Sequence, residues 1–501
     1  MKTDMKSAYF IELEKLGLSE ISDRLGISIE ETNELIVKLK YNGRRIIKSK
    51  YELKEIDSSE MVDDNDDYDS YSFKYVGIIV YKDIVIKCLP KYLCKEYSTD
   101  QKDSLLKLIM QVLRKYGIIE KNMDMISNDD SDKMIDMLNV IVYILTDFID
   151  NGLYHNQKNV YELNGSSEID WDKTVNNIDP FIIEKRPVYF DLITFENIDN
   201  DNDFFRMLHK YVVTQASNML KEVGLSSIFS LPEVEFDVDE NWFVDEEYVI
   251  NRINSELNVQ FVAKKQELLK AMLAFLERKA NTEIDDRYQI FGTMDFNLVW
   301  EKVCAIGLNN KLNITMDKIP ELNQAIVQAK YMNYSKTTKT KIAKSLKELV
   351  PYPYWIPSSD LKTTPSVKRH RAKKTLILDI ISIFQDKGDK YFIIWDAKYY
   401  NLYLKSDDLK GNPGVEDVIK QYIYEVVYKP FIAEQGFNKS YNILLFPTED
   451  DRVNTSGIVE FKEVTASLGA NEILAIKFPA KIMFESYILN KKIDIPQYFN
   501  L

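Results

Sequence analysis

Cysteine and histidine are scarce in this sequence. Its 501 residues contain three of each, and they are widely scattered along the chain. Such small, dispersed numbers exclude a disulfide framework and a zinc site built from these residues. The low cysteine content also indicates a reducing compartment.

Long apolar runs are missing as well. Near the start, Lys2, Asp4 and Lys6 interrupt any stretch that could serve as a secretion signal. The most apolar window, residues 137–149, is shorter than a membrane span and contains Asp147. We therefore expect a cytoplasmic protein without a membrane segment.

The sequence also lacks a net positive charge and the motif of a nucleotide-binding loop. The net charge of −14 argues against a generally basic nucleic-acid coat, although it allows a local basic track. The sequence has no G-x-x-x-x-G-K-[S/T] motif, and the nearest segment, residues 436–440, lacks the glycine before lysine. Any nucleotide-driven step would therefore come from another chain.

The length predicts roughly two to four domains. Residues 1–50 indicate a helix-turn-helix-like module: one helix ends at Gly26, and Ser28 with Glu31 forms a capping box for the next. Contact with DNA and contact with protein are both open for this module, because the second helix carries three glutamates that would repel phosphates.

The remaining chain divides into three parts. Residues 51–72 are rich in acids and predict a solvated linker. Residues 73–290 combine strand-like alternation with long amphipathic helices, which predicts an α+β region. Residues 291–501 alternate helices and strands and predict an α/β domain, a mixed central sheet flanked by helices.

Two strand-like runs in the last part each enclose a carboxylate, Asp379 in 375–384 and Asp396 in 391–400. A charge buried in a strand is costly unless it is paired. Residues two apart share a strand face, so Asp396 and Lys398 project together. Carboxylates on neighbouring strands, with the Ala397 carbonyl, suit Mg²⁺, with Mn²⁺ as the alternative cation. Lys398 could then orient water or stabilise a phosphate transition state. The structural alternative is a surface Asp–Lys pair.

A basic stretch precedes these strands. Residues 336–374 contain eleven lysines and arginines against two acids. Phosphate contact beside the carboxylate strands is the functional interpretation, and a solvated positive loop is the alternative. The predicted DNA-binding residues are Lys362, Lys368, Arg369, Arg371, Lys373 and Lys374.

The D…D-x-K arrangement resembles the PD-(D/E)xK nuclease superfamily, although Leu378 stands where many members have proline. The resemblance assigns Glu301, on the preceding predicted helix, the role of a supporting acid. It assigns Gln421, on the following helix, a role in positioning Lys398 or the scissile phosphate. Both assignments rest on the resemblance alone. A plain amphipathic helix would explain the pattern around Gln421 equally well.

Several short motifs, in consistent order, resemble the LlaJI-type restriction endonuclease family, relatives of McrC. They are Val76–Ile79, Leu89–Tyr92, Ile169–Thr174, Phe291–Thr293, Val299–Glu301 and Ile394–Tyr399. The resemblance implies the nuclease subunit of a bacterial restriction or anti-phage defence system that cleaves double-stranded DNA. It also implies control by a separate McrB-like AAA+ GTPase or ATPase ring, with residues 73–290 as the stalk that docks on it. Cutting both strands would require a second nuclease copy.

Two other functions stay open at this point. One is a non-catalytic DNA-binding or regulatory protein that uses the N-terminal helices. The other is a stand-alone restriction endonuclease that needs no motor. The presence of both acids and the lysine at the predicted core positions favours a catalytic protein over the first of these.

Overall fold

The computed structural model describes residues 5–41, 46–49, 70–121, 137–199, 203–243, 245–280, 289–334, 341–357 and 369–499. The chain forms two compact units. The first unit joins residues 1–121 to residues 291–501, and the second comprises residues 122–290. The predicted acidic linker falls outside the described residues, except for its last three positions.

The N-terminal part of the first unit contains both strands and helices. Its elements are β1 (Lys6–Ile11), β2 (Leu16–Gly17), α1 (Leu18–Leu25), α2 (Ile29–Tyr41), β3 (Ile47–Ser49), β4 (Ser70–Phe73), β5 (Val76–Tyr81), β6 (Ile84–Leu89) and α3 (Thr99–Lys121). Gly26 ends α1 with a left-handed φ of 64°. At the start of α2, the Ser28 N–H donates to Glu31 Oε2 at 2.9 Å. The two predicted helices and their capping are therefore present.

Strand pairing ties these first residues into the rest of the unit. β1 runs parallel to β6, and β2 and β3 both pair with β4. On α2, Glu34 accepts hydrogen bonds from Tyr81 and Lys82 in the turn between β5 and β6. The segment is thus a mixed α/β structure rather than the purely helical module that the sequence predicted. Its helix-turn-helix role stays a prediction.

Two glycines permit a close crossing between β5 and a later strand, β12 (Gln289–Thr293). A Cβ on Gly77 would lie 2.2 Å from the Phe291 carbonyl oxygen, and one on Gly292 would lie 2.2 Å from the Val76 oxygen. Both glycines have positive φ, 143° and 158°. Any side chain here would separate the strands, which explains why the chain carries glycine at both positions.

The second unit combines a helical core with a small sheet. Its elements are α4 (Met137–Asn151), β7 (Gln157–Leu163), β8 (Glu168–Ile169), α5 (Trp171–Asn177), β9 (Phe181–Ile183), β10 (Arg186–Val188), β11 (Ile193–Asp199), α6 (Phe204–Glu222), α7 (Ser226–Phe229), α8 (Glu246–Val259) and α9 (Ala263–Ala280). α4 packs against α6 and α9 through buried aliphatic side chains. β7 and β8 both pair with β11, and β9 and β10 form a separate hairpin.

The C-terminal part of the first unit contains the largest sheet. Its elements after β12 are α10 (Phe296–Gly307), α11 (Gln324–Lys330), β13 (Met332–Tyr334), β14 (Lys341–Ala343), β15 (Tyr354–Trp355), β16 (His370–Arg371), β17 (Ile380–Asp386), β18 (Asp389–Ala397), β19 (Tyr403–Leu404), β20 (Leu409–Lys410), α12 (Val415–Gln435), β21 (Lys439–Thr448), β22 (Asn454–Val459), α13 (Lys462–Leu468), β23 (Ile473–Pro479), α14 (Ala480–Ile488) and α15 (Ile495–Phe499).

This sheet has the strand order β17-β18-β21-β23-β22. β17 and β18 form an antiparallel hairpin, α12 connects β18 to the parallel β21, and β22 pairs antiparallel with β23. On one face, Phe392 packs against Tyr428 and Phe431 of α12. Trp395 contacts Phe499 of α15. The mixed α/β architecture predicted for this part is confirmed.

The compact units divide the chain differently from the predicted domains. Residues 73–121 belong to the unit that holds the large sheet, whereas the sequence grouped them with residues 122–290. The reason is strand pairing, since β5 joins β12 in one sheet. The division into functional domains stays a prediction. Among the described residues, no helix is both long enough and apolar enough to cross a bilayer.

Candidate active site at the end of the β17–β18 hairpin

The β17–β18 hairpin brings Asp379 and Asp396 together. Ile380 pairs with Trp395, so the next residues along the two strands are Asp379 and Asp396. Their carboxyl groups are close enough that each one shifts the pKa of the other. The Ala397 N–H also donates to Asp379 Oδ2 at 3.2 Å. The two acids thus share one small volume at the end of the hairpin.

Lys398 completes this cluster. Its Nζ lies 3.2 Å from Asp396 Oδ2 and 3.4 Å from Asp417 Oδ2, and only 19% of its side chain is exposed. Burial lowers the pKa of Lys398, but Asp396 and Asp417 outweigh that effect and raise the pKa overall. Lys398 is therefore a protonated ammonium group fixed between two carboxylates.

The pKa values of both acids are raised although Lys398 lies beside them and acts in the opposite direction. Burial raises the pKa of Asp396, and the neighbouring Asp379 raises it further. Burial also raises the pKa of Asp379. Burial and the closeness of the two carboxyl groups therefore favour the protonated form of one of them. A divalent cation would replace that proton and allow both groups to ionise.

The donor set fits Mg²⁺ in combination with a phosphate. The N–H and C=O of one strand residue point to the same side of the strand, so the Ala397 carbonyl faces the side on which Asp379 lies. Two carboxylates and a carbonyl are hard oxygen ligands. Across the described residues, no cluster of three or more His, Cys, Asp or Glu side chains suits a metal. Mg²⁺ commonly uses one or two carboxylates, and water and substrate phosphate supply its other ligands.

Glu301 lies close enough to this cluster to interact with it. It projects from α10 and is more than half buried. Burial raises its pKa, the charge of Lys398 opposes that rise, and Asp396 adds to it. The structure therefore places the predicted supporting acid within electrostatic reach of Asp396 and Lys398.

The side chain of Gln421 is directed at the large sheet, where its bonding partner belongs to β21. It is fully buried in α12, and its Nε2 points to the Ile443 carbonyl oxygen of β21 at 3.5 Å. Its Oε1 has no hydrogen-bond partner among the described residues. The side chain lies between helix and sheet, and it contacts neither acid of the pair. Its catalytic role stays a prediction.

Asp417 is a site residue that the sequence reasoning missed. It lies in the first turn of α12, four residues before Gln421, and so on the same helix face. The helical spacing from Gln421 was the available signal. Farther along α12, Tyr424 donates a hydrogen bond to the Ile377 carbonyl, two residues before Asp379. α12 therefore contacts Lys398 through Asp417, and it contacts the segment before Asp379 through Tyr424.

Asn310, also missed, fixes the backbone of Asp379. It follows α10, and its Nδ2 donates to the Asp379 carbonyl at 2.8 Å. Its Oδ1 accepts from the Ile381 N–H at 3.1 Å, and the Lys311 N–H donates to the Ile381 carbonyl at 2.8 Å. β17 is an edge strand of the large sheet. The bonds from Asn310 and Lys311 occupy its outer edge at the start of the strand, next to Asp379.

A buried network holds the residue after Lys398. Tyr399 Oη donates to Glu12 Oε2 at 2.6 Å and accepts from the Lys91 N–H at 3.2 Å. Glu12 follows β1 and Lys91 follows β6. Burial, followed by the charge of Glu12, raises the pKa of Tyr399. The N-terminal sheet is thus attached directly to the strand end that carries Asp396 and Lys398.

The predicted DNA-binding residues divide into two groups. Arg369, Arg371, Lys373 and Lys374 are exposed, on β16 and the segment that leads to β17. Lys362 and Lys368 lie outside the described residues. The four described side chains face solvent close in sequence to Asp379, and their contact with DNA stays a prediction.

Comparison with known proteins places the chain in the class of restriction endonuclease components. Within that class, the model of the LlaJI restriction endonuclease family matches residues 75–352 and 344–477, and the chain belongs to this family. A relative in Bacillus subtilis (strain 168), the Type II restriction enzyme BsuMI component YdjA, is 27% identical over 478 residues. That alignment covers 93% of this chain and 89% of the relative.

Two solved structures from Thermococcus gammatolerans also show some similarity. One is a half-complex of McrB AAA+ hexamers with bound McrC, with a TM-score of 0.36, 13% identity, and coverage of 97% of this chain and 99% of that chain. The other is the McrBC complex, with a TM-score of 0.25, 12% identity, and coverage of 59% and 85%. Both TM-scores are below 0.5, so neither likeness defines the fold of this chain.

Proposed function

We propose that this chain is the Mg²⁺-dependent DNA endonuclease subunit of a restriction or anti-phage defence system. The observation that carries the proposal is the convergence of Asp379, Asp396 and Lys398 at the end of one strand hairpin. Membership of a restriction endonuclease family agrees with it. The hairpin, the α12 connection and the parallel β21 support a nuclease core of the PD-(D/E)xK kind.

Each residue of the cluster would have a separate role in cleavage. Asp379, Asp396 and the Ala397 carbonyl would hold the cation. When bound, Mg²⁺ supplies positive charge that neutralises the charge developing on the scissile phosphate. Lys398 would donate a hydrogen bond to a phosphate oxygen or to the attacking water. Asp417 would fix the direction of the Lys398 ammonium group, since it lies 3.4 Å away.

Double-stranded DNA is the proposed substrate. The chain has a net charge of −14, so contact with a polyanion must use a local basic surface. Arg369, Arg371, Lys373 and Lys374 form such a surface, and Lys374 is five residues from Asp379. Their charges would hold the phosphate backbone without reading its sequence.

We propose that a separate AAA+ NTPase controls cleavage. The chain has no phosphate-binding loop of its own. The second unit offers a surface for a protein partner, because β9 of the β9–β10 hairpin exposes apolar side chains: Phe181 is 62% exposed and Ile182 is 68% exposed. Exposed apolar patches of this kind mark protein contact sites. A second nuclease copy would cut the opposite strand.

The first test is metal binding by the purified chain. Calorimetric titration with Mg²⁺ should give a saturable signal that is lost in Asp396→Asn. Asp408→Asn is the matched control, because Asp408 pairs with Lys410 on the surface and lies outside the cluster. Equal binding by both variants would move the metal site elsewhere.

The second test concerns cleavage and its control. Purified chain with Mg²⁺ should cut DNA only when an AAA+ partner and its nucleotide are added. Cutting by the chain alone would instead establish a stand-alone endonuclease. Cutting that survives Asp396→Asn, with partner present, would contradict the proposed active site.

A further inference from the structure

The β15–β16 ribbon is an exposed two-stranded element that precedes the β17–β18 hairpin in the chain. Tyr354 pairs with Arg371, and Trp355 pairs with His370. Trp355 is 72% exposed and Tyr354 is 58% exposed. Two-stranded ribbons are marginally stable without other contacts, and adjacent exposed apolar side chains form the kind of patch that marks a binding site.

Local contacts give this ribbon a defined shape. The Ala372 N–H donates to the Pro353 carbonyl at 2.9 Å, which continues the pairing at its base. Thr375 donates a hydrogen bond to the Pro351 carbonyl. The Arg371 guanidinium lies over the ring of Tyr352, 3.6 Å from its centre. These contacts fix the base of the ribbon, while the side chains of Tyr354 and Trp355 stay open to solvent.

The two faces of the ribbon carry different side chains. Neighbours along a strand point to opposite faces, and paired residues share a face. Tyr354 and Arg371 thus lie on one face, together with Tyr352. Trp355 and His370 lie on the other. Each face combines an aromatic ring with a residue that is cationic or can become so.

The charge of the ribbon points to a polyanion. Residues 351–357 and 369–378 contain no Asp or Glu, although the whole chain has a net charge of −14. Cationic side chains next to exposed aromatic rings are the combination that binds single-stranded nucleic acid, since the cations hold phosphates and the rings stack on bases. In an intact duplex the base faces stack on one another, so a ring can stack only where bases are unpaired.

The length of the connecting segment limits the distance from the ribbon to the hairpin acids. Arg371 and Asp379 are eight positions apart in the chain, so they lie at most about 28 Å apart even if the segment is fully extended. This is less than one turn of B-form DNA, about 34 Å. DNA held by the ribbon would therefore be within one helical turn of the point of cleavage.

We propose that the β15–β16 ribbon binds DNA with unpaired bases, by stacking Trp355 on a base while Arg371 and its basic neighbours hold the backbone. The inference rests on the proposed nuclease function, for which it names the form of DNA that is held at the site. Its occupant is a distorted or locally melted DNA strand, and not a protein.

The test is a binding measurement on the full chain in EDTA, where no cleavage can interfere. Fluorescence anisotropy would compare three labelled DNAs of one sequence: a duplex, the duplex with a four-base unpaired bubble, and the single strand. Trp355→Ala should weaken binding to the bubble and the single strand about tenfold, the size expected for the loss of one stacked base, and change duplex binding less than twofold. Trp355→Phe should restore most of the affinity.

Trp171→Ala provides the matched control, because Trp171 is also highly exposed, at 57%, but belongs to the second unit. It should leave all three affinities unchanged. Equal losses on all three DNAs for Trp355→Ala, or no loss at all, would overturn the inference. So would a loss confined to binding of the AAA+ partner. Base-selective binding without any Mg²⁺-dependent cleavage would support the ribbon and contradict the nuclease proposal, so the two failures are distinguishable.

Discussion

Replacing Lys398 by methionine tests the role of its ammonium group in the acid cluster. Methionine keeps a long, unbranched apolar stem but removes the ammonium group that lies 3.2 Å from Asp396 and 3.4 Å from Asp417. We expect the cleavage rate to fall by about 10²- to 10³-fold, since a fixed charged donor in a water-poor site stabilises a transition state by roughly 3–4 kcal/mol. The assay is single-turnover cleavage of labelled DNA with Mg²⁺ and partner present.

The same substitution should lower stability when no metal is bound. Removing one partner of a fully buried ion pair costs about 3–5 kcal/mol. Lys398 is 19% exposed and Asp417 is 25% exposed, so water screens part of this loss. Protonation of Asp396, whose pKa is already raised by burial, relieves more of it. We therefore expect a loss of roughly 1–3 kcal/mol, read as a lower melting temperature in EDTA and partly reversed by Mg²⁺.

Lys420→Met is the matched control. Lys420 pairs with the same Asp417 at 3.5 Å, but its side chain is 47% exposed. Its loss should change the cleavage rate less than about fivefold, because exposed pairs contribute about 1 kcal/mol or less. Cleavage by Lys398→Met within tenfold of the parent rate, or an equal defect in the two variants, would refute the assignment of Lys398.

Three further outcomes are expected. Asn310→Asp keeps the acceptor oxygen but removes the amide that donates to the Asp379 carbonyl, so cleavage should need several-fold more Mg²⁺, as measured by titration. Asp396 has a raised pKa in the folded chain, so without metal the folded state holds more protons than the unfolded state and stability falls as pH rises above about 4. Asp396→Asn should therefore melt higher than the parent in EDTA at pH 8, and it should lose the stabilisation by Mg²⁺; a lower melting temperature would contradict this sign. Tyr399→Phe removes the hydrogen bond to buried Glu12 and should cost about 1–3 kcal/mol, read as a lower melting temperature of the first unit.

The hairpin that brings the two acids together could be predicted in detail. Lys387 and Gly388 have positive φ and form the two-residue turn that joins Asp386 to Asp389. Such turns fix the register of a hairpin. Counting seven residues back from Asp386 and seven forward from Asp389 pairs Asp379 with Asp396. The strand period of two then places Lys398 on the same face as Asp396.

Other parts of the site depend on contacts that no local pattern encodes. Glu12 and Tyr399 are 387 residues apart, and nothing in the spacing of either segment indicates that they meet. Asn310 sits in a loop, where one asparagine resembles any other until the edge of β17 is placed beside it. Asp417 differs, since its helical spacing from Gln421 made it accessible to sequence reasoning.

The N-terminal segment shows how tertiary pairing changes a correct local prediction. The capping box and the glycine stop placed α1 and α2 well, because these signals act within one turn of a helix. The short strands around them form only because β6 and β4 supply partners from beyond residue 69. Local signals therefore set the helices, and long-range pairing decides which unit they belong to.

The energetics of the cluster argue against a purely structural ion pair. Asp379, Asp396 and Lys398 lose solvation within an apolar sheet, and apolar side chains of similar volume would stabilise that position at least as well. Ionising both acids beside Lys398 would leave an excess of negative charge, which an ion pair built for stability would avoid. The excess is what a divalent cation and a phosphate together would balance. The composition of the cluster thus favours metal-assisted chemistry over structural support.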